Sequence, residues 1–480
     1  MGLLRLTTRN DVTKLKENMN LKRIVFGFLI LSLLACNYVT QMVFPATATP
    51  IPTVTLTPTT PPTPTVTPLV PAYIPPECAS TPLATIPPEL ALAQPTLESE
   101  ANPEVPQKEQ LQIFEQLTKT VDAVYVYPDF NGKDWDEIKS RYRSKIEAGL
   151  DTAAFYAEMQ ALIEELQDEH SFFLSPAEVK ESEAELKGEA EFTGIGIYYT
   201  IDFTRQRLIV ISTLPGSPAE HAGIGPHDSV LLADGYPLRA ESVNRLRGPL
   251  CSAVVLTVQS PGEAPRQLML VRQNIEGGVD IESRLVPTTD GSKIGYIFIP
   301  TFFDETIPPQ IDNALNEFGE LDGLILDVRM NGGGSSSVVD PILEHFVSGR
   351  LGEFVSRSDS RPLRVDPNPI HNSQTVPIVV LVSEDTVSYG EIFAGVLRDS
   401  RGAKIVGETS LGNVEVLHGY GFDDGSQAWI ASETFFPEHT DDNWEETGIV
   451  PDIQAFSEWD TFYFETDPSV AASVQLPGDQ

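Results

Sequence analysis

Two stretches of this sequence carry residue types that could attack a carbonyl and hold the charge that results. The first is Val380-Leu381-Val382-Ser383-Glu384-Asp385-Thr386-Val387-Ser388-Tyr389-Gly390-Glu391, an apolar strand-like run followed at once by the helical spacing of Ile392, Phe393, Val396 and Leu397. Ser388 therefore stands at a helix N-terminus, where unpaired amides and the helix dipole favour developing negative charge, as a serine nucleophile requires. A serine there is also an ordinary N-cap, so alone it decides nothing. The second stretch, Asp327-Val328-Arg329-Met330-Asn331-Gly332-Gly333-Gly334, follows the apolar run Leu324-Ile325-Leu326. Glycines at the carboxyl end of a strand let a ligand's backbone approach free N–H groups. No Gly-Lys-Ser/Thr follows, which argues against a nucleotide loop. A third glycine element, Gly194-Ile195-Gly196-Ile197, enters a strand and can turn consecutive amides toward one anion.

These residues need rigid elements beneath them, and the hydrophobic pattern supplies three kinds. Residues 107–185 read as a helical module, with Leu111, Phe114, Leu117 and Val121 at three-to-four spacing, repeated at Ile138, Tyr142, Ile146 and at Phe155, Met159, Leu162, Ile163, Leu166. Residues 186–276 read as short strands between Gly/Pro turns, with one helical stretch near 239–247, and make a small β-rich domain. Residues 277–460 alternate strands with helices expected at 308–318, 336–347 and 389–398, which predicts a mostly parallel α/β layer. Residues 461–480 remain as a C-terminal tail.

The N-terminal part reads differently. Basic residues up to Arg23 precede the apolar run Ile24–Leu34 and then Ala35-Cys36, the three-part form of an export signal and too short for a comfortable membrane span. Leu33-Leu34-Ala35-Cys36 resembles a bacterial lipobox, so residues 1–36 are expected to be a lipoprotein signal with Cys36 lipidated, the protein then sitting on the outer face of a bacterial membrane. Residues 37–106, dominated by Pro and Thr, are expected to be an extended tether. A Cys78–Cys251 disulfide is open to the sequence but would tie the tether to a domain, so two free thiols are the preferred expectation. With 69 acidic against 32 basic residues and a net charge of −37, an electrostatic grip on nucleic acid is excluded. Three cysteines with no CxxC or Cys/His cluster offer no metal site, and no cofactor is expected.

The ordered series Gly194-Ile195-Gly196-Ile197, Pro215 to Ile224 (PGSPAEHAGI), Asp228 and Asp234-Gly235 resembles a PDZ domain of the bacterial protease type. The resemblance implies that Gly194, Ile195, Gly196 and Ile197 receive the C-terminal carboxylate of a peptide beside an open strand edge. Taken with the Asp327–Gly334 turn, Thr386–Glu391, Val406-Gly407-Glu408-Thr409 and Gly448 to Asp452 (GIVPD), everything from 107 to about 457 resembles the C-terminal processing, or tail-specific, serine peptidases, relatives of the tricorn protease core. That implies a multidomain α+β chain with a ClpP/crotonase-like catalytic core, polypeptide substrates with free or unstructured C-termini, Ser388 as nucleophile, and an oxyanion hole from Gly333 and Tyr389, with Gly332 as the alternative glycine. Many members place a lysine base 25 residues after the serine; here position 413 is asparagine. A second branch uses Ser-His-Glu. Leu166-Gln167-Asp168-Glu169-His170-Ser171 resembles its histidine element, and Glu445, or its neighbour Glu446, has the spacing of its glutamate. The expected triad is Ser388, His170 and Glu445. A member without proteolytic activity that binds peptides through the PDZ domain is the alternative, and a carrier of small apolar molecules a third reading.

Overall fold

The computed structural model describes residues 69–80, 84–85, 102–168, 170–189, 191–238 and 243–475. The signal segment with Cys36, and the tether outside those ranges, lie outside the described residues. Three helices, Gln107–Val124, Trp135–Ala148 and Thr152–Glu164, make up the helical module. Asp134 and Asp151 cap the second and third by accepting from Glu137 N and Ala154 N, so each helix starts where an aspartate satisfies an orphan amide. Their apolar stripes, Phe114, Leu117 and Val121 against Tyr142, Ile146, Phe155 and Met159, close into one cluster that also takes in Ala428, Ile430 and Ala431. Those last three lie on the strand Gln427–Pro437, and Phe172–Leu174 pairs antiparallel with the beginning of the same strand. His170 is thus carried to that sheet by the chain leaving the helices.

The middle β domain is built on the strands Ile197–Asp202, Arg207–Thr213, Ser229–Ala233, Ser252–Gln259 and Arg266–Val271 of one sheet, around Leu208, Val210, Val230, Val254, Leu256 and Leu270. Gly196 has φ +73°, and a Cβ there would sit 2.3 Å from Ser217 Cβ, so the loop closes on Ser217 only as glycine. Of the helical stretch expected near 239–247, residues Val243–Leu246 form a single 3-10 turn; 239–242 lie outside the described residues.

Two expectations for the tether are corrected here. Cys78 and Cys251 are not free thiols but a disulfide, with Cα atoms 5.3 Å apart and both residues buried beside Val271. Part of the tether is also docked: Ala84–Thr85 pairs in parallel with Ser252–Ala253, and Tyr73 stacks on His221 at 3.9 Å. Proline spacing weighed against structure, but an edge strand and a covalent bond supply the fixed partners that the sequence pattern does not display.

The C-terminal α/β part rests on a six-stranded sheet in the order Glu282–Val286, Ile294–Phe298, Gly323–Asp327, Ile378–Val382, Lys404–Gly407 and Ile453–Gln454. The first pair is antiparallel and the rest are parallel. The three central strands are buried at every position, which is why they read as unbroken apolar runs. Helices Ile307–Phe318, Ser336–Phe346 and Tyr389–Arg401 contribute buried faces to the main core. A second, antiparallel sheet runs Ser360–Val365, Gly349–Val355, Gln427–Pro437, Glu415–Gly421. Lys404 begins a strand flanked on both sides, and its half-exposed amine lies 3.7 Å from Asp452. The C-terminal tail is not loose over 461–475: Phe462 and Val470 are buried and Pro468–Ser473 is helical. Among the described residues no helix is long and apolar enough to cross a membrane.

Candidate active site

Ser388 follows the turn that leaves the strand Ile378–Val382 and precedes the helix Tyr389–Arg401. Its φ of 56° and ψ of −124° place a non-glycine residue in a sparsely populated region, a conformation that persists only where its surroundings over-determine it. They do so here. Ser388 N donates to Asn413 O at 2.9 Å, and Val387 N to Asn331 O at 3.0 Å. Glu391, one turn into the helix and fully buried, accepts from Ser410 Oγ (2.6 Å), Gly412 N (2.7 Å) and Asn413 N (2.8 Å), as well as from Ser388 N at 3.2 Å. Burial raises the pKa of its carboxyl, and these donors oppose the rise.

Gly333 lies against the serine: a Cβ on it would be 2.7 Å from Ser388 Cβ and 3.1 Å from Val387 O, and its φ is +99°. Only glycine lets the turn approach so closely. Its N–H donates to Asn331 Oδ1 at 2.9 Å, within its own loop. Tyr389 is the first residue of its helix, where the backbone N–H has no intrahelical acceptor.

His170 is held by its neighbours. The Asp168 carboxylate accepts from His170 N (3.1 Å), Ser171 N (2.8 Å) and Ser171 Oγ (2.6 Å). The ring Nδ1 lies 2.7 Å from Glu415 Oε2, with the two side chains 10% and 3% exposed. Tyr127 Oη donates to the other oxygen of Glu415. His170 Nε2 is buried and has no hydrogen-bond partner, so no bond joins it to Ser388 in this structure. With Nδ1–H committed to Glu415, Nε2 is left as the basic nitrogen.

The carboxylate on the histidine is therefore Glu415 and not Glu445. Glu445, on the short helix Trp444–Thr447, accepts from Val414 N at 2.7 Å and makes no bond to His170. Burial pushes its pKa up to about 7, and the charge of Glu415 adds to the rise. Glu446 is exposed. Sequence spacing missed Glu415 because no motif flanks it; the signal available was an acidic residue between Val414 and Val416 at the start of a strand.

Residues 293–455 match the family model of peptidase family S41, and residues 106–168 match that of the tricorn protease C1 domain. The chloroplastic C-terminal processing peptidase of Tetradesmus obliquus is 30% identical over 368 residues, covering 71% of this chain and 76% of its own. The chain belongs to peptidase family S41. A carboxyl-terminal-processing protease of Synechocystis is 27% identical over 353 residues, covering 72% of this chain and 80% of that relative. A solved photosystem II D1 C-terminal processing protease matches at 26% identity and a TM-score of 0.53, covering 72% of this chain and 93% of that one. The mixed α/β fold is that of S41 protease structures, and the protein is a serine-type peptidase, a hydrolase.

In this S41 peptidase Asn413 is 94% buried by the measure of its 6% exposure; its backbone serves Ser388 and Glu391, and its side-chain Oδ1 is unpartnered. An amide at this position takes no proton. A cavity of about 250 Å³ opens beside it, lined by Tyr127, Gln167, Asp168, Asn413, Glu415 and Glu445. Among the described residues no cluster of His, Cys, Asp and Glu could hold a metal ion.

Proposed function

We propose that this S41 peptidase is an endopeptidase working through Ser388, His170 and Glu415 on the C-terminal segments of exported polypeptides. The observation that carries the reading is the buried His170–Glu415 pair at 2.7 Å with Nε2 unpartnered. As the substrate carbonyl meets Ser388, Nε2 takes the hydroxyl proton and Oγ bonds to the carbonyl carbon. The amide oxygen becomes the oxyanion, facing Tyr389 N–H, which has no intrahelical acceptor, and the Gly332-Gly333 turn, whose Gly333 N–H would have to leave Asn331 Oδ1 to donate to it. Glu415 stabilises the imidazolium through Nδ1–H, the same proton passes from Nε2 to the leaving amine, and the C–N bond breaks. Water then attacks the acyl ester by the reverse proton path. Serine and histidine must come together for the first step, a closure the substrate is expected to bring about.

The middle domain is proposed to be a PDZ module that takes the substrate's free carboxylate at Gly194–Ile197. The names of the carboxyl-terminal-processing relatives agree with this. A peptide should bind the protein clearly more tightly than its C-terminal amide in calorimetric titration; equal binding removes that role from the glycine loop. The non-proteolytic reading draws on Asn413 and on the missing Ser388–His170 bond. One experiment separates them: the chain from residue 37 onward should cleave a disordered protein, with the cut lost in Ser388→Ala. Undiminished cleavage by that variant, or none by the unmutated chain, rejects the triad.

A further inference from the structure

The residues beyond the S41 match begin at 456 and fold back onto the turn that carries Gly333. Arg329, four residues before Gly333, is 2% exposed. Its guanidinium spans two carboxylates: Nε and Nη2 reach Asp327 (3.0, 3.1 and 2.6 Å), while Nη2 and Nη1 reach Asp467 Oδ2 at 2.6 Å and Oδ1 at 3.2 Å. Nη1 also donates to Ser457 Oγ at 3.1 Å. The rings of Trp459 and Phe462 lie 5.3 Å from the guanidinium carbon. The backbone of this arginine is fixed too, because Ser383 Oγ donates to its carbonyl. Asn331 then passes the position on: its Nδ2 donates to Ile299 O, its Oδ1 accepts from Gly333 N, and its carbonyl accepts from Val387 N beside Ser388.

The same segment has a second face toward the middle domain. Trp459 Nε1 donates to Val210 O at 3.1 Å, and the Trp459 carbonyl accepts from His227 Nδ1 at 2.7 Å. Asp460 accepts from Ser229 Oγ at 2.6 Å and pairs with Arg207 at 3.0 Å and Arg205 at 3.1 Å. One short stretch therefore touches both the domain expected to hold substrate and the turn expected to hold the oxyanion.

We propose that residues 456–473 are a positioning element of the active site: Asp467, acting through Arg329, sets the turn that places Gly333 against Ser388, and Trp459 and Asp460 fix that turn relative to the middle domain. The inference rests on Ser388 being the nucleophile. A plain cover for the sheet would need apolar area only; two carboxylates on one buried arginine within the glycine turn are more than a cover requires, since buried ion pairs seldom repay their desolvation.

The test uses the whole chain from residue 37. Asp467 Oδ1 also caps the helix Pro468–Ser473 through Ser469 N, and Asn keeps that acceptor while setting an amide against Nη2, so Asp467→Asn removes the charge and the 2.6 Å Nη2 bond, leaves the longer Nη1 bond to Oδ1, and spares the cap. Per site titrated with a fluorophosphonate, kcat on a short peptide should fall about tenfold, a part of the 10²–10³ lost with a whole oxyanion donor, while KM stays within about twofold. Amide exchange across residues 329–335 should quicken several-fold. Ser457→Ala, which removes the 3.1 Å bond from Nη1 and a longer one to Ser469 Oγ, is the milder arm should Asp467→Asn fail to fold, and should show the same split in smaller degree. Unchanged kcat per titrated site together with unchanged exchange at 329–335 overturns the proposal, leaving the segment as a cover. The exchange measurement reads the turn with or without hydrolysis, so its failure is distinct from the loss of the Ser388 reading.

Discussion

At the scale of single residues, the decisive feature is a carboxylate that no motif announces. Glu415 reaches His170 because the strand Glu415–Gly421 pairs with Gln427–Pro437, the strand on which the helical module also packs. Its role is set by tertiary contact between residues 245 apart, which local spacing does not encode. That Ser388 and the glycine turn lie together was legible, because each sits at the end of a buried strand with its own signature, whereas the partner of His170 was not. Glu415→Gln should lower kcat by about a hundredfold or more, since the tautomer and orientation of the base depend on it, while Glu445→Gln should cost about fivefold or less. Comparable losses in steady-state kinetics, or the reverse order, refute the reassignment. Glu445 carries a separate stability signature. Its pKa is raised from an ordinary 4.5 to about 7, so between those values the folded chain holds a proton that the unfolded chain has released. Stability contributed at this site is then present below about pH 4.5, declines as pH rises through the window, and is lost above about 7. Glu445→Gln cannot ionise and keeps an acceptor for Val414 N. Its melting temperature relative to the unmutated protein should therefore be higher at pH 8 than at pH 5, and a difference independent of pH would rule out the buried ionisation.

At the scale of elements, burial decided what could be read. The strands Ile294–Phe298, Gly323–Asp327 and Ile378–Val382 have both faces covered and announce themselves as apolar runs, and the helices after them fall where their caps and spacing lie. The strands Gly349–Val355, Ser360–Val365 and Glu415–Gly421 are not legible in the sequence because their buried positions follow no regular alternation and they carry arginine, glutamate and glycine. The tether misled for a related reason. Proline at high density describes a chain that cannot propagate structure of its own, yet it does not forbid a docked segment with a fixed partner. The Cys78–Cys251 bond closes a loop with a sequence separation of 173, so removing it should release considerable entropy to the unfolded chain. The double variant Cys78→Ser, Cys251→Ser should lose about 2–5 kcal/mol of stability, read by denaturant unfolding without reductant. No change in the unfolding midpoint would mean that the docked segment is held by its strand pairing alone.

At the scale of the whole molecule, the disulfide bears on the export expected from the N-terminal segment. A buried Cys78–Cys251 bond persists in oxidising surroundings, which an exported chain would meet. The excess of 69 acidic over 32 basic residues argues against an electrostatic hold on anionic lipid. Among the described residues no helix is long and apolar enough to cross a membrane. The apolar run ending at Leu34 and Cys36 two residues after it are proposed as the means of attachment, because they have the form of a lipoprotein signal. A diacylated Cys36 would contribute about 0.8 kcal/mol per buried methylene, and two chains suffice for stable anchoring where one gives only reversible binding. The tether from 37 to the docked segment would then separate the peptidase from the lipid surface, leaving Ser388 and the middle domain free to meet exported polypeptides. The prediction is that the native protein partitions with membranes and is released by detergent but not by high salt, whereas Cys36→Ala is recovered in the soluble fraction with its peptidase activity intact. Membrane association that survives Cys36→Ala would defeat the lipid anchor and return the attachment to an uncleaved signal segment.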